Sequence, residues 1–156
     1  MAMEKTLILI KPDAFQRALV GKIISRFERK GLKIVGLKML KPSPELSKEH
    51  YAHLVDKPFY PGLEQFMTQN PIIAMVIEGQ EAVEVVRRVV GVTNSRKADA
   101  GTIRGDYSMS TGRNTIHASD SVETAQKEVS RFFEPNELFS YNLVLWDFIY
   151  AEDEKE

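Results

Sequence analysis

The run Thr6-Leu7-Ile8-Leu9-Ile10, followed at once by Lys11-Pro12-Asp13, decides the fold. An apolar run without period-two alternation is the pattern of a strand covered on both faces. Working outward, Val20, Ile23, Ile24 and Phe27 fall on one helical face, and Gly31 stops that helix. Residues 33–40 read as a second strand. Pro42-Ser43-Pro44 opens a helix, with Ser43 as N-cap and Pro44 in the first turn. Phe59, Leu63, Phe66 and Met67 form another helical stripe, and Asn70-Pro71 marks a turn. Residues 72–77 give a third strand and 81–90 a helix with Val83, Val86 and Val90 inward. Residues 91–114 have little periodicity, and a loop of that length inside a compact domain is usually functional. Residues 114–118 read as a fourth strand. Asp120 is the expected cap of the next helix, with Glu123 as its capping-box partner. That helix carries Val122, Ala125, Val129, Phe132 and Phe133 on one side. Residues 143–146 are apolar, with no period that assigns a state.

This order predicts an α+β fold: a ferredoxin-like four-stranded antiparallel sheet (βαββαβ) with additional helices and a long active-site loop. In that topology the first and fourth strands are antiparallel neighbours. Lys11, at the end of one, then lies near His117 in the other. No repeat or linker divides the chain, so residues 1–156 form one domain.

Composition narrows the function. The chain has 156 residues, 43% hydrophobic and 28% charged, so wholesale disorder is excluded. A net charge of −1 announces neither a nucleic-acid nor a membrane partner. With no cysteine, disulfides, thiolate metal sites and cysteine nucleophiles are excluded. There is no signal peptide, and no apolar run approaches the roughly 20 residues of a membrane helix. A soluble, cytoplasmic protein is expected. Charge is uneven, however. The last six residues hold four acids and one lysine, whereas residues 87–117 hold six bases and two acids. That basic, Gly/Ser/Thr-rich stretch suits either a small polyanionic ligand or plain solvent.

Several motifs fail. Gly21-Lys22 lacks the phosphate-loop glycine, because Gln16 stands there, and Ile23 replaces its Ser/Thr. His50-x-x-His53 has no carboxylate or third histidine in sequence to complete a metal site. His117 is more promising. Glu128, eleven residues on, could hold one imidazole nitrogen and free the other as nucleophile. A core histidine beside an unrelated surface glutamate fits the same pattern.

Three separated segments carry a resemblance. Asn114-x-x-His117-Ala118-Ser119-Asp120-Ser121-Val122, Gly101-Thr102-Ile103-Arg104-Gly105-Asp106-Tyr107 and Leu9-Ile10-Lys11-Pro12-Asp13 resemble the nucleoside diphosphate kinase family, over nearly the whole chain. The resemblance implies transfer of the γ-phosphate of ATP or another nucleoside triphosphate to a nucleoside diphosphate, by a ping-pong route through phosphohistidine at His117. An imidazole with a reference pKa of about 6.5 is largely neutral near pH 7, as a nucleophile must be. Glu128 and Ser119 are implied to orient the ring. Lys11, Tyr51 and Asn114 match positions around the transferred phosphate and sugar hydroxyls, and Arg87, Thr93 and Arg104 match a phosphate clamp. Mg²⁺ is implied as cofactor, held mainly by the nucleotide phosphates. Phe59 matches an aromatic that stacks on the base, with Leu63 lining that end. Unaided, Phe59 reads as core. The partners implied are nucleoside di- and triphosphates and other copies of the chain, the length beyond Trp146 favouring a homohexamer. No membrane is involved and no nucleic acid is required.

Five positions depart from the family pattern. Ala118 replaces a commoner Gly, and Tyr107 replaces Phe, adding a hydroxyl in need of a partner. Thr111 stands where an aliphatic residue backs the base. Ser95 and Ala100 stand where prolines are common, so a proline at 95 is expected to stiffen the loop. Two competing readings are an RNA-binding module, although the first three strands lack the aromatics it needs, and a catalytically dead scaffold.

Overall fold

β1 (Met3–Ile10) lies inside the sheet, between β3 (Ile72–Gln80) and β4 (Ile116–Ala118), with β2 (Lys33–Leu40) beyond β3. All three pairings are antiparallel, giving the order β2-β3-β1-β4 of the expected ferredoxin-like sheet. The molecule is described from a computed structural model, covering residues 3–155.

The apolar run of β1 is divided between two cores. Ile8 and Ile10 pack with Ile23 and Phe27 of α2 (Val20–Lys30) and Val86 and Val90 of α5 (Ala82–Val90). Leu7 and Leu9 face the other way, onto Met67 of α4 (Tyr60–Thr68) and Val129 and Phe132 of α7 (Val122–Phe132). All four β1 residues are fully buried. Each contributes about 1.5–3 kcal/mol of hydrophobic stabilisation. Among the described residues, helices pack on both faces of β1.

The helix boundaries follow local chemistry. Gly31 ends α2 with φ 94°, a conformation that costs glycine little. Ser43 caps α3 (Pro44–His50), accepting from Leu46 N at 3.1 Å. At α7 the expectation needs correction. The cap is Ser121, whose Oγ accepts from Thr124 N at 3.1 Å. Glu123 pairs instead with Lys127 at 2.7 Å, one turn on, and Asp120 is left at the mouth of a cavity. The fourth strand is also shorter than expected. Thr115 has φ 66°, so Asn114 and Thr115 bend into β4 rather than belonging to it.

The 91–114 segment is not structureless. It holds a 3₁₀ turn, Ser95–Lys97, and the short helix α6, Ile103–Tyr107. Arg26 ties α6 to α2 through Gly101 O at 2.8 Å, the Asp106 carboxylate, and the Tyr107 hydroxyl at 3.1 Å. The extra hydroxyl of Tyr107 therefore has its partner. Gly105 is required here, since a Cβ would fall 1.9 Å from Asp99 O.

Residues 143–146 form a turn that runs into α8 (Trp146–Ile149). Trp146 Nε1 donates to Gly31 O at 3.0 Å, and the Lys33 ammonium sits 4.4 Å over the Trp146 ring. This fastens the C-terminal segment to the start of β2.

Candidate active site

The ends of β1 and β4, the last turn of α5, the 91–114 segment and the faces of α4 and α7 enclose a cavity of about 1100 Å³. Lys11, Tyr51, Phe59, Leu63, Arg87, Thr93, Arg104, Thr111, Asn114, His117 and Glu128 all line it. Of the residues singled out from sequence, only Ser119 does not.

His117 sits on β4 opposite Leu9. Its Nε2 lies 2.9 and 3.1 Å from the two Glu128 carboxylate oxygens. Glu128 comes from α7 and is 4% exposed. Burial pushes its carboxyl pKa up, but hydrogen bonds from His117 and Ser119 and the charge of His117 more than offset it, holding the group below the usual carboxylate range. An ionised Glu128 accepts from Nε2–H and so leaves the Nδ1 lone pair free. Ser119 acts at one remove. It is fully buried, helps to lower the Glu128 pKa, and its Oγ accepts from Leu7 N at 3.4 Å.

The cations divide into two kinds. Lys11 is buried and donates to Asn114 Oδ1 at 2.8 Å. Burial, then the charge of Arg104, lowers its pKa to about 8, against a small opposing pull from Asp13. Arg104 is buried as well, donating to Asn114 O (3.3 Å), Gly91 O (3.0 Å) and Ile116 O (2.6 Å). Burial, then Arg87, lowers its pKa to about 10. Arg87 is exposed at the cavity wall, while Arg88 pairs with Glu84.

Asn114, 2% exposed, closes the loop. Its Nδ2 donates to Thr111 O at 2.9 Å and Thr93 O at 3.2 Å, while its Oδ1 receives Lys11. Tyr51 is buried, and its hydroxyl has no hydrogen-bond partner among the described residues. Burial, then Glu128, pushes the phenol pKa up, so the hydroxyl stays protonated and able to donate. Phe59 is 57% exposed and faces the cavity, so it is not core.

Sequence reasoning weighed His50 only as a pair with His53 and passed over Arg131. His50 Nδ1 is 3.3 Å from Glu128 Oε2 and 3.2 Å from Arg131 Nη1, and its ring meets that of His117 edge-on at 4.6 Å. Burial, then the charge of His117, lowers its pKa to about 3, so it is neutral. Its place on α3 was visible, but a contact spanning 81 residues to Arg131 left no local trace.

The site offers Mg²⁺ little of its own. Among the described residues its walls carry three carboxylates: Glu128 is taken by His117, and Glu49 and Asp120 are exposed. Cations dominate the inner end. This donor set fits an ion that arrives on phosphates rather than one held in a protein cage.

Comparison with known proteins agrees with this geometry. The sequence profile of the family described as nucleoside diphosphate kinase matches residues 4–138. The nucleoside diphosphate kinase of Rhodopirellula baltica is 53% identical over 152 residues, 97% of this chain and 100% of that protein. That of Staphylococcus carnosus is 55% identical over 139 residues, 89% of this chain and 93% of that protein. A halophilic nucleoside diphosphate kinase from Halobacterium salinarum, in complex with CDP, superimposes with a TM-score of 0.93 at 42% identity, covering 96% of this chain and 100% of that one.

Proposed function

Because this chain belongs to the nucleoside diphosphate kinase family, whose reaction moves the γ-phosphate of a nucleoside triphosphate to a nucleoside diphosphate, we propose that His117 is the residue that carries the phosphate between the two half-reactions. The observation that carries the proposal is the His117 Nε2–Glu128 pair, which turns the free Nδ1 lone pair to a cation-lined cavity.

In the first half-reaction Nδ1 attacks the γ-phosphorus. The bond from that phosphorus to the bridging oxygen breaks, and the nucleoside diphosphate leaves with the electron pair. Nε2–H stays on the ring, and the Glu128 carboxylate balances the positive charge it gains. Lys11, Arg87, Arg104 and the Tyr51 hydroxyl take the phosphate oxygens as charge redistributes. Lys11 and Arg104 are already held by Asn114 and by backbone carbonyls, so little reorganisation is needed. In the second half-reaction a terminal oxygen of the acceptor diphosphate attacks the same phosphorus, and the N–P bond breaks.

Mg²⁺ arriving with the nucleotide would supply further positive charge to the phosphates, beside Lys11, Arg87 and Arg104. Phe59 stacks on the base, with Leu63 and Thr111 around it. Stacking accepts any base. The CDP bound to the halophilic relative supports a diphosphate in this cavity. We also propose a homohexamer in the cytoplasm. The assembly is supported by apolar side chains left exposed on the C-terminal segment (Val144, Leu145, Phe148) and the loop (Val92, Met109). Among the described residues, no helix is long and apolar enough to cross a membrane.

Incubation with labelled ATP and Mg²⁺ tests the carrier. An acid-labile, base-stable phosphoprotein that GDP discharges is expected. Label on any residue other than His117 overturns the assignment. Light scattering at micromolar concentration tests the hexamer, and a stable monomer or tetramer contradicts it.

A further inference from the structure

His50-x-x-His53 fails as a metal pair, because His53 is exposed on the following turn while His50 is buried. The fold supplies His50 with other company. His50 from α3, His117 from β4 and Glu128 from α7 place one potential ligand atom each within 4.8 Å of one another. His50 Nδ1 is 3.3 Å and His117 Nε2 is 2.9 Å from the same carboxylate oxygen. Two imidazoles and a carboxylate with a fourth direction open to a cavity are the donor set of an accessible zinc site. Tetrahedral zinc with bonds of about 2.0–2.1 Å needs its donors roughly 3.4 Å apart. Two of the three separations, 3.3 and 2.9 Å, already lie near that spacing, and the third is within 4.8 Å.

We propose that His50, His117 and Glu128 together bind a zinc ion, and that the bound ion switches phosphotransfer off. The proposal rests on His117 being the phosphate carrier.

The inhibition follows from tautomer chemistry. In the metal-free protein Glu128 accepts from Nε2–H, and the lone pair is on Nδ1. Zinc on Nε2 needs that lone pair for itself, so the ring proton moves to Nδ1. The nucleophilic atom then carries a hydrogen and cannot attack phosphorus. Glu128, now a ligand, no longer offsets charge on the ring. Nothing in this blocks the Phe59 end, so the nucleotide still enters.

His50 is suited to the role. It is buried beside the other two donors, with its Nδ1 3.3 Å from the Glu128 carboxylate and its ring 4.6 Å from that of His117. One of its nitrogens, Nε2, has no partner among the described residues. Arg131 competes for Nδ1, but Glu49 lies 3.4 Å from Arg131 Nε and offers it an alternative. Nearby Lys11, Arg104 and Arg131 repel a dication, which keeps binding reversible rather than structural. Imidazole donors favour zinc over Mg²⁺, so the ion serving the nucleotide does not occupy the trio.

Cobalt(II), a spectroscopic stand-in for zinc, is titrated into tag-free full-length protein. Visible bands of a four-coordinate site are expected at one equivalent per chain, and zinc should abolish them. His50→Gln and His117→Gln should each lose the bands, whereas His53→Gln keeps them. Two ligand variants are used so that a folding failure in one, seen by circular dichroism, leaves the other to decide. Separately, zinc is added to the enzyme before excess Mg·ATP. The labelled phosphoenzyme should fall in proportion to bound metal and return with EDTA. Labelling of His50→Gln, referred to its own metal-free value, should not respond. Absent bands in the wild type, bands surviving in a folded ligand variant, or full labelling of the metal-loaded enzyme would each overturn the proposal. A metal-free enzyme that forms no phosphohistidine would instead sink the carrier assignment, while the cobalt bands still report on the metal.

Discussion

The two ends of the cavity are built in opposite ways. At the phosphate end, Lys11, Arg104, Asn114 and Glu128 are each no more than 8% exposed, and each is held by named partners. At the other end, Phe59 is 57% exposed, and Thr111 is exposed as well. Chemistry at phosphorus needs charges already in place, because reorganising them during reaction adds to the barrier. Recognition of any base needs only a flat apolar surface. The rigid end costs folding energy to desolvate its cations, and the open end costs almost nothing.

The largest expected effect is at the rigid end. His117→Ala should abolish the phosphoenzyme and leave the far-UV circular dichroism unchanged, since the side chain packs against a cavity. Phosphate exchange near the wild-type rate in that variant would remove the contrast altogether.

The two arginines sharpen it next. Arg104→Gln strips donors from three backbone carbonyls around a buried group and should destabilise the protein by about 3 kcal/mol, read from urea midpoints. Arg87→Gln should leave the midpoint within about 0.5 kcal/mol and weaken nucleotide binding instead. Equal loss of stability in both would mean that burial does not separate their roles.

Acting at the open end, Phe59→Ala should weaken purine and pyrimidine nucleotides together, by about 1–3 kcal/mol in direct titrations. A loss confined to one base would point to hydrogen-bond readout there.

Lys11 links the buried end to pH. Its pKa is about 8 when folded, against an ordinary lysine value of 10.5. Between those values the unfolded chain binds more protons, so this group's contribution to stability rises with pH across that window. Nucleotide binding behaves oppositely. A phosphate favours the ammonium, so above about pH 8 ADP binding takes up a proton and weakens by as much as roughly tenfold per unit. Calorimetry in buffers of different ionisation enthalpy measures that uptake, and Lys11→Met should remove it.

The sequence showed the fold wherever a local signal was strong. β1 was readable because burial on both faces removes alternation, and α2 because Gly31 ends it. Asp120 and Ser121 are both good caps, and only the backbone turn into α7 chooses Ser121. That Phe59 is exposed to the cavity rather than core was not readable from its pattern, because an aromatic on an apolar stripe looks like core. The partners of His50 could not be read at all. Glu128 and Arg131 lie on a helix that returns to α3 only after the whole sheet has formed.

The smallest effect concerns Ser95, where the open loop contains one buried anchor. Ser95 begins the 3₁₀ turn after Asn94, a position compatible with proline. A proline there would gain about 0.4–1 kcal/mol by restricting the unfolded chain. The structure opposes that gain. Ser95 is 3% exposed, and its Oγ donates to Ser110 O at 2.7 Å, joining the two sides of the loop. Losing that bond costs about 0.5–1.5 kcal/mol, so the rise in stability expected from sequence is cancelled. Ser95→Ala removes the bond without the stiffening. Thermal melts at equal concentration should therefore rank wild type and Ser95→Pro close together, with Ser95→Ala below both. If Ser95→Pro instead melts well above the wild type, the Ser110 tie contributes nothing. The Asn114 bonds to Thr93 O and Thr111 O would then be what joins the two sides of the loop.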